Sequence, residues 1–311
     1  MKSKRTAKRL ILFLTLFIVI NLIMSIAYVR FARTHEFRLY DLDKSFAAGD
    51  SKLKYLFIGD SHMFMAVEAD SFPSAFDYSS PGEHPIQTYY KLKHVLENHT
   101  RDFDTLVMNL DLHQYRSFQS NSFKNTHYWA KYIDFWELGT EQGNRSLAMS
   151  QYLKGRLFPY YDGIKYLFRY VRFDNIYNFT KRDFSQQPNH QEEARLTAQK
   201  HLNYADYLDP ICLSYLHKMF ALCKKYHKSI VFVKLPLTED YFLQAEQVVP
   251  VDSFYQKMDA AILPFRNFIR VIDDQKIFFG QDQYFCDPHH VNGEGKKVFS
   301  KIFKKQIQNH E

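Results

Sequence analysis

Cysteine, glycine and proline are all scarce in this chain, at 3, 10 and 10 of 311 residues. So few cysteines exclude a disulfide framework, and so little glycine and proline excludes collagen-like and low-complexity chains. Cys212 and Cys223 stand on what reads as one helix, separated by about 16 Å of helical rise, too far to bond. Three buried free thiols are expected. No HxxxH or HExxH spacing offers two metal ligands from one helix. Acid is absent from residues 1–9, which hold Lys2, Lys4, Arg5, Lys8 and Arg9. Those five account for most of the net charge of +7, so the body is close to neutral and nucleic acid is not an expected partner. What the chain has in quantity is apolar and aromatic material, 46% and 17%, which excludes disorder.

The basic cluster stands directly before an uncharged stretch, Leu10 to Val29, with only Thr15, Asn21 and Ser25 clearly polar. Twenty residues at helical rise cover about 30 Å, the hydrocarbon thickness of a bilayer. A cleaved signal peptide would have a shorter apolar region. Ser25-Ile26-Ala27 offers such a cleavage site, but the run continues through Tyr28 and Val29, so an uncleaved single-pass anchor is expected. No cysteine follows the run to serve as a lipoprotein anchor. Five positive charges before the helix against Arg30 and Arg33 after it place the N-terminus in the cytoplasm and the main domain outside.

The expected organisation is a basic segment (1–9), a transmembrane anchor (10–29), a polar connector (30–52), the first part of the main domain (53–116), an aromatic helical insertion (117–203) and the second part of that domain (204–311). Lys54–Ile58, Thr105–Leu110, Ser229–Val233 and Phe268–Ile272 are short apolar runs that read as buried strands. Helical spacing lies between them at Thr88–His99, Leu208–Tyr226 and Ser253–Leu263, and a last helix follows Asn292. Alternating strands and helices predict an α/β fold of three α/β/α layers on a mostly parallel sheet. In the insertion, Tyr128, Trp129, Tyr132, Phe135 and Trp136 recur at helical intervals, and Lys165–Phe173 is a basic aromatic run. The rings are expected to pack as the core of a helical cap; the alternatives are a sugar-stacking platform, with Trp129 and Trp136 touching substrate, or a surface lying on the membrane.

The sharpest local feature is Gly59-Asp60-Ser61-His62, placed directly after a strand. A serine in such a turn sits where open α/β sheets bind ligands. Serine becomes a nucleophile when a histidine accepts its proton, and that histidine needs a carboxylate to fix its tautomer. Asp287 and His290, three residues apart in Cys286-Asp-Pro-His-His-Val-Asn-Gly-Glu-Gly295, supply both from one loop. His289 is expected to face solvent beside the base, and it and His62 are candidates for substrate contact. A metal site of His62, His113, Asp287, His289 and His290 is the weaker reading, so neither metal nor cofactor is expected.

These two blocks resemble the SGNH or GDSL hydrolase superfamily: Gly59-Asp60-Ser61 matches its first block, and Asp287-Pro-His-His290 with Asn292 and Gly295 matches its last. The resemblance covers about residues 53–115 and 205–308. It implies Ser61 as nucleophile, His290 as general base and Asp287 as its orienting partner. It also implies an oxyanion hole from the backbone N–H of Ser61, a backbone N–H at Gly82, and an Asn side chain from a third block. That block departs from the pattern here, reading Leu110-Asp111-Leu-His113-Gln114, so His113 falls where the Asn belongs. With an anchor and a long insertion, the chain looks most like the membrane-anchored branch that includes D-alanyl transfer and alginate O-acetylation proteins. The implied activity is serine-dependent acyl transfer or ester hydrolysis on O-acyl groups of envelope glycans. The implied partners are the bilayer, a glycan or acyl donor, and a multi-pass membrane-bound O-acyltransferase. The alternatives are a non-catalytic accessory protein that binds glycan or docks on such an acyltransferase, and a plain secreted lipase.

Overall fold

The computed structural model describes residues 2–28, 30, 37–49, 51–98, 100–115, 126–141, 145–161, 180–202 and 208–308. The chain divides into two compact units, Met1–Asp41 with Lys124–Arg172, and Leu42–Phe123 with Phe173–Glu311. The basic aromatic run Lys165–Phe173 lies outside the described residues.

The second unit is built on five parallel strands, β1 (Leu53–Ile58), β2 (Ala75–Asp77), β3 (Phe103–Asn109), β4 (Ser229–Lys234) and β5 (Ile269–Asp273), in the order β2-β1-β3-β4-β5. Four of them are the runs expected from sequence; β1, β3 and β4 are largely buried, and β5 at the edge is partly so. On one face, Tyr55, Phe57, Val107, Val231 and Val233 pack with Phe299, Phe303 and Ile307 of the last helix, Gly293–Gln308. On the other, Phe232 meets Phe220 of the helix Pro210–Lys225, with ring centroids 5.9 Å apart, and that helix packs against the helix Pro85–Glu97. The three-layer α/β/α arrangement is therefore present. Cys212, Cys223 and Cys286 are free and buried, as expected.

Some elements differ from expectation. The connector contains a helix, Phe37–Ala47, whose Phe46 stacks on Tyr78 at 4.7 Å. A further helix, Glu239–Val248, is capped by the Thr238 side chain, which accepts from the Tyr241 N–H. The helix expected from Thr88 begins at Pro85. Its cap is His84, whose ring accepts from the Ile86 N–H while the Gln87 side chain accepts from the His84 N–H.

That helix also holds down the loop after β2. Lys91, 1% exposed, donates to Glu83 Oε2 at 2.6 Å and to the Tyr78 carbonyl at 2.5 Å, and Thr88 donates to Glu83 Oε1 at 2.9 Å. Removing one member of a buried pair leaves an uncompensated charge, which costs about 3–5 kcal/mol. Lys91→Met is expected to lower unfolding stability by about that much in a denaturant titration, and adding Glu83→Gln to recover most of it. Equal loss in the single and double variants would refute the pairing.

In the first unit, one helix runs Lys2–Ala27, and its stretch Lys4–Ala27 is long and apolar enough to cross a membrane. Short helices follow at Thr126–Trp129, Phe135–Glu141 and Arg145–Tyr152, continued by a wider π turn at Leu153–Leu157. Tyr128 packs edge to face with Trp129 and with Tyr132, Trp129 and Tyr132 meet at a tilt, and Lys131 Nζ lies 4.2 Å from the centre of the Tyr128 ring. The later part of the expected insertion, Thr180–Leu202, belongs to the sheet-bearing unit: Gly293 N–H donates to the Thr180 carbonyl, and Phe184 N–H to the Phe285 carbonyl.

Candidate active site

The strand order reverses between β1 and β3, and open α/β sheets offer a crevice beyond the carboxyl ends of the strands at such a switch point. Both chemical segments lie there. β1 ends at Ile58, and a short helix begins at Ser61 with Asp60 as its cap, accepting from the His62 N–H at 2.9 Å. Gly59 links them because a Cβ there would collide with Asn109 Oδ1 at the end of β3. Only glycine permits so close an approach.

The loop carrying Asp287 and His290 is fixed at both ends. Phe285 and Val291 form an antiparallel bridge, and Cys286 N–H donates to the His290 carbonyl at 3.0 Å. Asn292 closes the loop and starts the last helix. Its Oδ1 accepts from the Glu294 and Gly295 N–H groups, and its Nδ2 donates to the carbonyls of Arg182, Gln283 and Phe285. Thr238, after β4, donates through Oγ1 to the Pro288 carbonyl at 2.7 Å.

Three expected catalytic residues form one row. Ser61 Oγ is 3.0 Å from His290 Nε2, and His290 Nδ1 is 2.8 Å from Asp287 Oδ2. Asp287 Oδ1 accepts from the backbone N–H groups of His289 and His290 at 2.9 and 2.7 Å. Burial alone would raise the Asp287 carboxyl, but the neighbouring His289 and His290 outweigh it and hold it well below the usual carboxylate range. The carboxylate is thus charged and immobile beside the imidazole it orients.

Behind the row lies a polar layer that the sequence only partly announced. Asp60 Oδ2 is 2.9 Å from His113 Nε2, and its Oδ1 accepts from Asn109 Nδ2, also at 2.9 Å. Asn109 Nδ2 reaches Asp111 Oδ2 as well, at 2.6 Å. Burial raises both acids, but His113 holds Asp60 low, whereas burial and the charge of Asp60 push Asp111 up to about 7. Of the two buried carboxyls, Asp60 is therefore the one held charged at neutral pH, and Asp111 is the one pushed towards its protonated form. His113, expected at the oxyanion, has its Nε2 on Asp60. Gly82, with φ of 72°, lies two residues after Ser80, whose N–H donates to the Gly59 carbonyl. Asn109 and His201 were not singled out from sequence. Asn109 is the last residue of β3, and His201 arrives from the helix His190–Leu202.

One expectation is corrected, and one alternative falls. His289 is not solvent-facing: it is 8% exposed, stacked on Tyr241 at 5.5 Å and in edge contact with His201 at 4.7 Å. Trp129 is 2% exposed within the aromatic core of its unit, so its ring offers no face for a sugar. Trp136, by contrast, is 69% exposed. His62 is 3% exposed, with its ring against those of His113, His289 and His290 and its Nδ1 3.3 Å from Asp111 Oδ2.

Among the described residues, two groups bring donor atoms within 4.8 Å of one another, as a metal ion would need: His62 with His289 and His290, and His190 with Asp240 and Asp282. In the first, His290 is already bonded to Ser61 and Asp287.

Burial keeps several of these rings neutral. It lowers His84 to about 3 and, with repulsion from neighbouring histidines, His201 to about 2; His289 falls to about 4, burial outweighing the pull of Asp287. Unfolded histidines titrate near 6.5, so between about 6.5 and 4 the unfolded chain binds more protons, and stability falls as pH falls through that window. Each such ring contributes up to about 1.4 kcal/mol per pH unit. His84→Asn keeps a capping acceptor without the titration, and is expected to flatten the pH dependence of the denaturation midpoint. An unchanged slope would exclude His84 from it.

No family model matches the chain, and no curated protein matches it. Among solved structures it is similar to a GDSL-like lipase from Bacteroides thetaiotaomicron, at 11% identity over 88% of this chain and 98% of that one, with a TM-score of 0.43. It is also similar to a protein described as an acylhydrolase from Bacteroides fragilis, at 12% identity over 85% of this chain and 93% of that one, with a TM-score of 0.41. Likeness this distant carries no chemistry; the geometry of the site does.

Proposed function

We propose that the chain is a serine-dependent acyl hydrolase or acyl transferase of the SGNH type, acting on O-acyl groups of envelope glycans outside the membrane that its N-terminal helix spans. The observation that carries the reading is the continuous row Ser61 Oγ, His290 Nε2, His290 Nδ1, Asp287 Oδ2, with separations of 3.0 and 2.8 Å. The basic N-terminal segment and the apolar helix support the anchored topology.

Asp287, fixed by two backbone donors, takes the His290 Nδ1–H and leaves Nε2 as the acceptor that faces the serine. Ser61 Oγ attacks the acyl carbonyl as its proton passes to Nε2. The bond from the acyl carbon to the leaving oxygen then breaks, and His290 returns the proton to that oxygen. The acyl group remains as an ester on Ser61. A water or a glycan hydroxyl repeats the attack with His290 as base, releasing the acid or the acylated glycan and restoring Ser61. The oxyanion that forms twice is assigned to the N–H of Ser61, with Gly82 as a further candidate; the Nε2 of His113, expected in this role, is instead on Asp60. His62 and His289 pack against the His290 ring. A multi-pass membrane acyltransferase is the proposed source of the acyl group.

The test is the full chain in detergent with p-nitrophenyl acetate. Nitrophenol release above background is expected, and a soluble oligosaccharide acceptor should speed it and become acetylated if transfer is the activity. No release would remove the catalytic reading and favour an accessory protein. Release unaffected by any acceptor would mark a hydrolase.

A further inference from the structure

We infer that the segment 149–161 is embedded in the outer half of the bilayer, against the membrane-spanning helix, with its exposed apolar row in contact with lipid acyl chains. The inference rests on the anchored topology proposed above.

It starts from the one strongly polar side chain in the middle of the anchor. Asn21 lies inside the apolar run, where an amide without partners costs several kcal/mol. Both ends of its amide are matched from the same stretch of the same unit. Nδ2 donates to the Leu157 carbonyl at 3.1 Å, and Oδ1 accepts from the Tyr160 hydroxyl at 2.6 Å. One turn earlier on the anchor, Phe17 meets Phe158 edge to face, with centroids 6.3 Å apart.

Length decides whether this contact lies in water or in lipid. If the bilayer ended at Asn21, the span would be Leu10–Ile20, about 16 Å of helix, roughly half of the ~30 Å hydrocarbon core. It cannot start much earlier, because Lys8 and Arg9 precede Leu10. The hydrocarbon must therefore extend past Asn21 through the next eight residues, about 12 Å, and residues 157–160 lie at the same depth.

The segment has a surface suited to that place. Met149, Leu153, Leu157 and Tyr161 recur at four-residue intervals and are 49%, 36%, 46% and 57% exposed. Much of its backbone is paired, as lipid requires. Leu153–Leu157 is helical, Phe158 N–H donates to the Leu153 carbonyl, Tyr161 N–H donates to the Phe158 carbonyl, and the Leu157 carbonyl is taken by Asn21. Lys154 Nζ lies 4.8 Å from the centre of the Tyr161 ring, and Arg156 beside Leu157 is a charge that a bilayer accommodates by local thinning and water entry.

The test uses the full chain in phosphatidylcholine–phosphatidylglycerol liposomes, with an environment-sensitive fluorophore on a single introduced cysteine. The native cysteines are buried, so unmodified protein serves as the labelling blank. At Leu157→Cys the expected result is a blue-shifted emission that loses most of its intensity when doxyl groups are placed on the lipid acyl chains. Adding Asn21→Leu should abolish that quenching while a label at Leu14→Cys stays quenched. A water-like, unquenched label at position 157 alongside a quenched label at position 14 would overturn the inference alone. An unquenched label at position 14 would overturn the anchored topology on which it rests.

Discussion

Replacing Ser61 by alanine is expected to reduce turnover of an activated acyl ester by about 10⁴-fold or more, while leaving the unfolding midpoint nearly unchanged. The size of the effect follows from the role: without Oγ there is no acyl-enzyme, and only binding and oxyanion stabilisation remain. The small effect on stability follows from the contacts. Ser61 Oγ bonds to His290 Nε2, whereas the cap of its short helix is the neighbouring Asp60 and is untouched. Steady-state nitrophenol release and a denaturation curve on the same preparation check both parts. Residual activity within tenfold of wild type would remove Ser61 from the chemistry.

Asp287→Asn is expected to lower the same rate by about 10⁴-fold, because an amide facing Nδ1 can donate a proton where the carboxylate only accepts. His290 would then carry its proton on Nε2 and present a donor to Ser61, the wrong tautomer for a base. The substitution also weakens the acceptor for the His289 and His290 N–H groups, so the loop itself is expected to lose some stability. Rate and stability are separable here. If Asp287 only held the loop, activity measured well below the melting temperature would survive; if it orients the base, activity is lost in fully folded protein. Asp287→Glu, which keeps the charge with a longer reach, is expected to fall between the two.

The row of Ser61, His290 and Asp287 was legible because it is carried by two short segments of distinctive composition, each after an element that the apolar pattern places. The three central strands were legible for the same reason, since a parallel strand buried on both faces is a nearly continuous apolar run, and β5 was legible from the shorter run that ends at Ile272. β2 was not, being three half-buried residues at the edge of the sheet. The start of the helix at Pro85 was hidden because its cap is a histidine, a residue outside the usual serine, threonine, aspartate and asparagine set.

The polar layer behind the row depends on long-range geometry. Position after the strand drew attention to His113, whereas the residue that reaches Asp60 alongside it is Asn109, four positions earlier and the strand's own last member. A histidine next to a catalytic histidine reads as solvent-exposed when only the local loop is considered. His289 is buried because Tyr241 and His201, from two distant helices, close over it. The helix around Tyr241 had ordinary signals, Thr238 as cap and Glu239 and Asp240 in the first turn, and went unread because its apolar stripe is short.

The central claim is that Ser61 becomes acylated with His290 as its base. Mass spectrometry of the intact protein after rapid mixing with p-nitrophenyl acetate and acid quench, followed by peptide mapping, tests it most directly. The predicted result is a single acetyl group on the peptide containing Ser61, absent in Ser61→Ala and strongly reduced in His290→Gln. Acetylation confined to lysines or to histidine, and equal in wild type and Ser61→Ala, would contradict it.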